Sequence, residues 1–321
     1  MMTTTHPKAK VYIFFITVLM ILLTFTACTS SQAEPTPVPK PTIPPSATDS
    51  IVLGDVSNDP TEKIESFQPL ADYLAANLHE HDIGIGEVKI APNLETMSEW
   101  LESGEVDIYF DSVYPVIVMS ETSEASPILR RWKEGVAEYA SVIFVHADSD
   151  INSVENLQAH TIGFEAIDSS SGYFMPLAFL LDSELTLAEK TSISAFVNPN
   201  EVGYFFTGDD ENTVLAVLNG NLDAGAMINT DFEEMPEETK SQLRVIAETN
   251  SMPRQFVVIQ PNINPDLRSD INALLLNIDK TEEGSEVLLH FEETAKFDSI
   301  PDSAHLLMGK MRALYLEFQE E

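Results

Sequence analysis

Three consecutive serines and a glycine, Ser169-Ser170-Ser171-Gly172, stand where an apolar run passes into a helical one. The stretch reads Gly163-Phe164-Glu165-Ala166-Ile167-Asp168-Ser169-Ser170-Ser171-Gly172-Tyr173-Phe174-Met175-Pro176. A strand feeding a helix at this point would bring three hydroxyls, the unpaired N–H groups of the first turn and the positive end of the helix dipole to one place. That combination holds a phosphate-like oxyanion without a cation. The same spacing equally fits one serine as an N-cap and the others as turn residues facing solvent. Catalytic patterns are missing elsewhere: the sequence has no G-x-S-x-G, H-E-x-x-H or G-x-x-x-x-G-K. His79, His81, His146, His160, His290 and His305 are scattered, and Asp209-Asp210-Glu211, Glu233-Glu234 and Glu237-Glu238 follow no calcium-loop spacing. These read as solvated faces. No enzyme activity, cofactor or metal is expected.

The elements that must position this loop belong to a chain of 321 residues with 17 Lys and Arg, 52 Asp and Glu, a net charge of −35 and one cysteine. One cysteine excludes an internal disulfide framework and a cysteine-built zinc site, and the acidity opposes a nucleic-acid surface. It does not exclude an anion site, because backbone N–H groups in a cleft outweigh distant, screened surface charge.

The N-terminus carries His6, Lys8 and Lys10, then an apolar run from Val11 through Phe25, with no acidic residue before Glu34. This reads as an export signal, short for a bilayer span. It ends on Phe25-Thr26-Ala27-Cys28, which resembles the bacterial lipobox with Phe25 in place of the usual leucine. Residues 1–27 are therefore expected to be a lipoprotein signal peptide and Cys28 a lipidation site. Thr29 to Ser50, with Pro35, Pro37, Pro39, Pro41, Pro44 and Pro45, cannot bury a core and reads, with Cys28, as an extended tether over 28–50. The destination is extracytoplasmic, on the outer face of a membrane.

From Ile51 the pattern alternates strand and helix. Ile51–Val56, Val88–Ala91 and Val106–Phe110 read as strands; Phe67, Leu70, Ala71, Leu74, Ala75 and Leu78 mark one helix, and Thr96–Leu101 another that stops at Gly104. This βαβαβ unit predicts a mainly parallel sheet with ligands at the carboxyl ends of its strands, so the turns at Asp55–Asp59, Ala91–Asn93 and Asp111–Pro115 matter. After a strand at Tyr139–Val145 the pattern restarts. Strands are expected at Thr161–Phe164, Ala195–Asn198 and Ala224–Ile228, with helices at Ser171–Leu181 and Thr213–Leu218. Arg244–Ala247 and Phe256–Ile259 read as strands leading back, followed by helices at Asp266–Ile278 and Glu282–Phe291.

Asp168-Ser169-Ser170-Ser171-Gly172-Tyr173 resembles the Ser-Thr-Ser-Gly loop of the periplasmic phosphate/phosphite/phosphonate-binding proteins, the PhnD-like solute receptors of ABC importers. Phe67-Gln68-Pro69-Leu70-Ala71-Asp72-Tyr73-Leu74 is similar to that family's first helix, and Gly104-Glu105-Val106-Asp107-Ile108-Tyr109 to the beginning of its third strand. Tyr139-Ala140-Ser141-Val142-Ile143 is similar to its crossover strand, and Leu215–Ala224 to a later helix-to-strand passage. The resemblance covers Ile51 to the C-terminus. It implies an α/β fold of two lobes, a type II-like periplasmic-binding-protein fold, each lobe a mainly parallel sheet flanked by helices with the ligand cleft between them. Lobe 1 would be 51–141 plus 255–321 and lobe 2 142–254, with hinge crossings near Ser141–Val145 and Pro253–Val257.

Carried over, the anion loop falls on Ser169, Ser170, Ser171 and Gly172, and the ligand-contacting aromatic on Tyr139. The family's loop after the third strand is replaced by Asp111-Ser112-Val113-Tyr114-Pro115, leaving Ser112 and Tyr114 to face the cleft. Asp210, in Gly208-Asp209-Asp210-Glu211, stands where the family often has a ligand-binding histidine. Facing a dianion it must turn away, be neutralised, accept from a protonated oxygen or pair with a ligand ammonium. Met252-Pro253-Arg254-Gln255 lacks the acid expected of aminoalkylphosphonate receptors, and Arg254 is the candidate cation there. The resemblance implies a monomeric solute-binding lipoprotein that delivers a phosphonate, phosphite or phosphate to an ABC permease. The alternatives are a receptor of this fold for another small, amino-bearing solute and a lipoprotein sensor; a hydrolase is a remote third.

Overall fold

The computed structural model describes residues 48–192 and 195–319, all within one compact unit, Pro41–Glu321. The export segment, Cys28 and the proline-rich stretch through residue 47 lie outside the described residues. Among those described, no helix is long and apolar enough to cross a membrane.

The chain opens with β1 (Asp49–Val56), α1 (Pro60–Asn77), β2 (Ile83–Ala91), α2 (Leu94–Ser103), β3 (Ile108–Asp111), α3 (Val113–Thr122) and β4 (Ser126–Arg131). It crosses through β5 (Glu138–Tyr139) to β6 (Ser141–His146), β7 (Thr161–Phe164), α4 (Met175–Asp182), β8 (Leu187–Glu189) and β9 (Val202–Phe206). Next come α5 (Asp210–Leu218), β10 (Ala224–Ile228), α6 (Asn229–Glu234), α7 (Glu237–Lys240) and β11 (Leu243–Glu248). The chain returns through β12 (Met252–Pro253) to β13 (Gln255–Ile259), α8 (Pro265–Leu275), α9 (Glu282–His290), β14 (Phe297–Asp298) and α10 (Asp302–Gln319).

Two six-stranded sheets result, ordered β14-β4-β13-β3-β1-β2 and β11-β6-β10-β7-β9-β8, with β5 and β12 paired in the passage between them. Where βαβ units run, the strands are parallel, as in β3-β1-β2 and β10-β7-β9-β8. Strands that arrive from the other lobe or turn back join antiparallel, as β13 does on β3 and β6 on β10.

Local chemistry explains the first unit. The Asp59 carboxylate accepts the Glu62 N–H at 3.3 Å and Pro60 starts α1, while Phe67, Leu70, Ala71, Leu74 and Ala75 form its buried stripe. Burying each large side chain of that stripe contributes about 1.5–3 kcal/mol. Gly86 lets α1 lie on β2, since a Cβ there would come within 2.4 Å of the Ala71 backbone.

Several boundaries differ from the sequence expectation. β1 begins at Asp49, inside the stretch read as tether, because Asp49 and Ser50 already pair with β2. The strand expected over Tyr139–Val145 is split into β5 and β6, which serve different sheets. The lobe crossings accordingly lie at Glu138–Tyr139 and Met252–Pro253, while Ser141–Val145 runs inside the second sheet. No strand forms at Ala195–Asn198, where Phe196 is 75% exposed; Val202–Phe206 takes that place between β7 and β8. The helix expected from Ser171 begins with a wide π-type turn over Ser170–Phe174 before α4.

One apolar cluster runs from Val52 and Tyr109 through α3, Tyr139, Phe164 and Phe174 to Met311 and Tyr315 of α10, so both sheets share buried surface. A second, under α1, α8 and α9, surrounds Arg131, which is fully buried. Its guanidinium donates to Thr294 Oγ1 (2.9 Å), Gln255 Oε1 (2.7 Å), the Phe291 carbonyl (2.9 Å) and Glu292 Oε2 (3.0 Å), and lies 3.6 Å from the Phe291 ring centroid. Because its loss leaves the buried Thr294, Gln255 and Phe291 acceptors without their donor and takes one of three cations from Glu292, Arg131→Ala is expected to cost about 3–5 kcal/mol in denaturant unfolding; a loss under about 1 kcal/mol would contradict this.

Candidate functional site

The carboxyl ends of β1 and β3 face the loop that follows β7. In that loop Ser169 caps the wide turn: its Oγ accepts the Gly172 N–H at 2.9 Å and donates to Glu165 Oε2 at 2.5 Å. Gly172 is required by this packing, since a Cβ would sit 2.5 Å from the Glu165 side chain. The turn closes by bonds from the Phe174 N–H to the Ser169 carbonyl and from the Met175 N–H to the Ser170 carbonyl. Such i→i+5 turns recur at functional sites.

Ser170 behaves differently. It is buried, and its Oγ accepts the Tyr114 N–H at 2.9 Å and donates to Ser112 Oγ at 2.8 Å. Both partners belong to the start of α3, in the other lobe, so the bonds span the cleft. The buried Tyr139 hydroxyl stands beside Ser170 and Ser112, and burial pushes its ionisation up to about 12, although Arg254 pulls the other way. Ser112, Tyr114, Tyr139 and Ser170 are thus brought together. The Tyr114 ring completes the wall, 4.7 Å from Phe174 and 6.1 Å from Tyr315 between centroids. Ser171 is half-buried in the same turn. Arg254 stands at the edge, its guanidinium 5.6 Å from the Tyr139 ring centroid and paired with Glu134 at 3.2 Å.

The lobe 1 wall contains groups that sequence reasoning does not single out. Asp111 Oδ1 accepts the Ser112 N–H at 2.7 Å and the Ser112 hydroxyl at 3.1 Å, while Oδ2 accepts the Tyr109 hydroxyl. Burial pushes Asp111 above the ordinary carboxylate range against those hydrogen bonds. Asp55 lies at the end of β1; its Oδ1 accepts the Val56 N–H at 2.7 Å and Lys63 Nζ lies 3.0 Å from Oδ2. Burial pushes Asp55 up to about 6, opposed by Lys63. Lys63 also bonds Glu292, which burial would raise but which Arg131, Lys133 and Lys63 hold down at about 2. The signal for Asp55 and Asp111 is their position at the ends of the first and third strands.

Asp210 opens α5 after the capping Asp209, lines a groove with Val214, Met227, Asp231 and Met235, and feels the charge of Glu165, the partner of Ser169. Its Oδ1 is buried without a hydrogen-bond partner. Burial first, then Glu165, Asp231 and Asp209, push its carboxyl up to about 7. Among the described residues no cluster of His, Cys, Asp and Glu is arranged to hold a metal ion.

The family model described as "ABC transporter, phosphonate, periplasmic substrate-binding protein" matches residues 56–304. The phosphonates-binding periplasmic protein of Escherichia coli K12 is 27% identical over 165 residues, 48% of this chain and 45% of that one. The chain matches less than half the length of the curated relatives found. XAC2383 from Xanthomonas citri, solved bound to chloride ion, is 25% identical with a TM-score of 0.77, covering 84% of this chain and 98% of its own. PhnD1 from Prochlorococcus marinus, solved in complex with methylphosphonate, has a TM-score of 0.58 at 18% identity, covering 83% of this chain and 98% of its own.

The raised Asp210 carboxyl makes a pH prediction. Between about pH 4, where the unfolded side chain ionises, and about pH 7 the folded state retains a proton that the unfolded state releases. Stability attributable to this group is therefore present below that window and lost as pH rises through it. Asp210→Asn removes the cost of ionising the folded side chain. Its advantage over the parent chain in urea unfolding should grow from pH 4 to pH 8, reaching about 1–2 kcal/mol, less than the full shift because solvent screens a partly exposed group. A difference that stays flat across the range would contradict this.

Proposed function

Because the chain belongs to the family of ABC-transporter phosphonate periplasmic substrate-binding proteins, we propose that it captures a phosphonate-, phosphite- or phosphate-class oxyanion between its lobes and delivers it to a permease. The observation that carries this reading is Ser170 reaching across the cleft to Ser112 and to the first-turn amide of Tyr114, with the Tyr139 hydroxyl beside both serines. Neutral donors at two helix starts converge there, and each start carries the positive end of a helix dipole. An oxyanion lodged at this point exchanges protein–protein hydrogen bonds for protein–ligand bonds, and no covalent bond is made or broken. Ser169 and Gly172 shape the loop, Ser171 supplies a further hydroxyl, Tyr114 walls the cleft and Arg254 lends charge at its edge. Asp210 lies outside this contact set.

The lobes would be 51–141 with 255–321, and 142–254, moving about the paired crossings at Glu138–Tyr139 and Met252–Pro253. Closure on the ligand is then the signal that the permease reads. Delivery is from the outer face of the membrane: Cys28 carries the lipid, residues 1–27 are removed, and the proline-rich segment spaces the monomeric receptor from the bilayer. Stable attachment takes about two acyl chains, which a lipidated terminal cysteine provides.

Two experiments check the reading. Calorimetric titration of the purified receptor with methylphosphonate, phosphite and phosphate should give micromolar or tighter binding to at least one, weakened about tenfold or more by Ser170→Ala, the loss expected for one hydrogen bond to a charged ligand. No heat and no thermal shift across the panel would remove the proposal. For the anchor, Cys28→Ala in the full chain should move the exported protein from the membrane fraction to the soluble fraction; retention in the membrane would contradict lipidation.

A further inference from the structure

The hydrogen bonds of the cleft have a direction, and Asp111 sets it. The Ser112 N–H, the Ser112 hydroxyl at 3.1 Å and the Tyr109 hydroxyl all donate to Asp111, so it stands here as an acceptor with no proton to give, although burial pushes its ionisation up. With its proton so placed, Ser112 Oγ can only accept, and it accepts from Ser170 at 2.8 Å. Ser170 in turn accepts the Tyr114 N–H at 2.9 Å. The Tyr109 hydroxyl also points into Asp111, at Oδ2. Every hydroxyl proton in this relay thus runs toward one carboxylate. Towards a ligand the two serines offer lone pairs, which an oxyanion without a proton of its own can use only by breaking the relay.

We propose that Asp111 determines specificity in this cleft by selecting an oxyanion that carries a proton, such as a hydrogen phosphonate monoanion, against one that carries none, such as a sulfonate. This deepens the reading of the cleft as an oxyanion site and rests on it. A ligand P–OH donates to the serine lone pairs that the relay leaves exposed, while its anionic oxygens take the remaining donors. A proton delivered to Asp111 achieves the same end: Asp111 then donates to Ser112, and the Ser112 hydroxyl turns to the ligand. A sulfonate brings no proton by either route. Asp55 on β1 and Asp168 in the serine loop are the nearby carboxylates, and their charges bear equally on two monoanions. Tyr139 approaches from β5, and Lys133, after β4, is the cation that favours the ionised form.

The test compares methylphosphonate with methanesulfonate, two tetrahedral monoanions bearing the same methyl group, by calorimetry below the second ionisation of methylphosphonate. They differ by one proton. The parent chain should bind methylphosphonate at least about tenfold more tightly, the range of one hydrogen bond to a charged partner. Equal affinity for both overturns the selection by Asp111 and leaves the oxyanion reading standing; binding of neither overturns the selection, and it overturns the oxyanion reading as well only when phosphite and phosphate also fail to bind. In Asp111→Ala no acceptor is left for the Ser112 proton, so the preference should shrink severalfold toward unity. An Asp111→Ala receptor that binds methylphosphonate with the parental preference overturns the assignment. Ser112→Ala, which cuts the relay between Asp111 and Ser170, supplies an independent variant and should reduce the preference in the same direction; an unchanged ratio there also overturns it.

Discussion

A guanidinium without solvent contact must satisfy its donors from the protein or destabilise the fold, and Arg131 meets that demand with groups from distant segments. Gln255 comes from the strand that returns from the second lobe, and Phe291, Glu292 and Thr294 from the end of α9 and the turn after it. The position of Glu292 is therefore fixed, and Glu292 in turn gathers Lys63 and Lys133. Lys63 reaches Asp55 at the end of β1. A chain with a net charge of −35 in this way concentrates cations directly behind one wall of its cleft. Charges elsewhere on the surface act through solvent and are screened within about 8–10 Å.

The hydrogen bonds between the two walls use no cation. The π-type turn at Ser170–Phe174 and the first turn of α3 face one another, and each presents backbone and hydroxyl groups at a helix start. Tyr114 contributes an amide that has no acceptor within its own helix, and Ser170 satisfies it from the other lobe. Cross-lobe hydrogen bonds of this kind exist only when the two sheets are together. They tie the proposed anion-binding groups and the joined arrangement of the sheets to the same few atoms.

Much of this is legible in the sequence, for identifiable reasons. The α1 stripe from Phe67 to Ala75 and the strands β1, β7, β10 and β13 follow from periodicity and turn residues, because neighbouring residues decide them. The serine triplet is legible as a helix-start site, but which serine does what is not. Ser169 turns back to Glu165 and Ser170 crosses to Ser112, and that division depends on a turn one residue wider than helical spacing and on a partner 58 positions away. The roles of Asp55 and Asp111 are hidden for the same reason: their neighbours Lys63, Tyr109 and Ser112 become a constellation only once β1, β3 and α3 share an edge. Tyr139 reads as the start of one long strand because Tyr139–Val145 is almost wholly apolar. The chain changes sheets at Ala140, where a hydrogen bond from its N–H to Asn229 Oδ1 stands in for the ladder. Asp210 is legible as a residue at the start of α5, whereas the groove of Val214, Met227 and Met235 around it comes only from the fold.

On the proposed function closure has to be reversible, and that limits how strong the protein's own cross-lobe contacts can be. A ligand shifts the balance between open and closed lobes only by the difference in its affinity for the two, so the unliganded arrangements must lie within a few kcal/mol of each other. The bonds that Ser170 makes across the cleft suit this requirement, being worth about 0.5–1.5 kcal/mol each in net terms. The apolar contacts of Met311 and Tyr315 are a different matter, because α10 packs against α3 of one lobe and α4 of the other. Parting the lobes must either shear this helix along one neighbour or carry it with the other. Shear along an apolar face keeps dispersion contacts while it slides, whereas lifting would expose both surfaces at about 25 cal/mol per Å². Motion about the β5–β12 crossing that slides α10 therefore costs less than motion that lifts it, and the direction in which the cleft opens is set by the packing behind it.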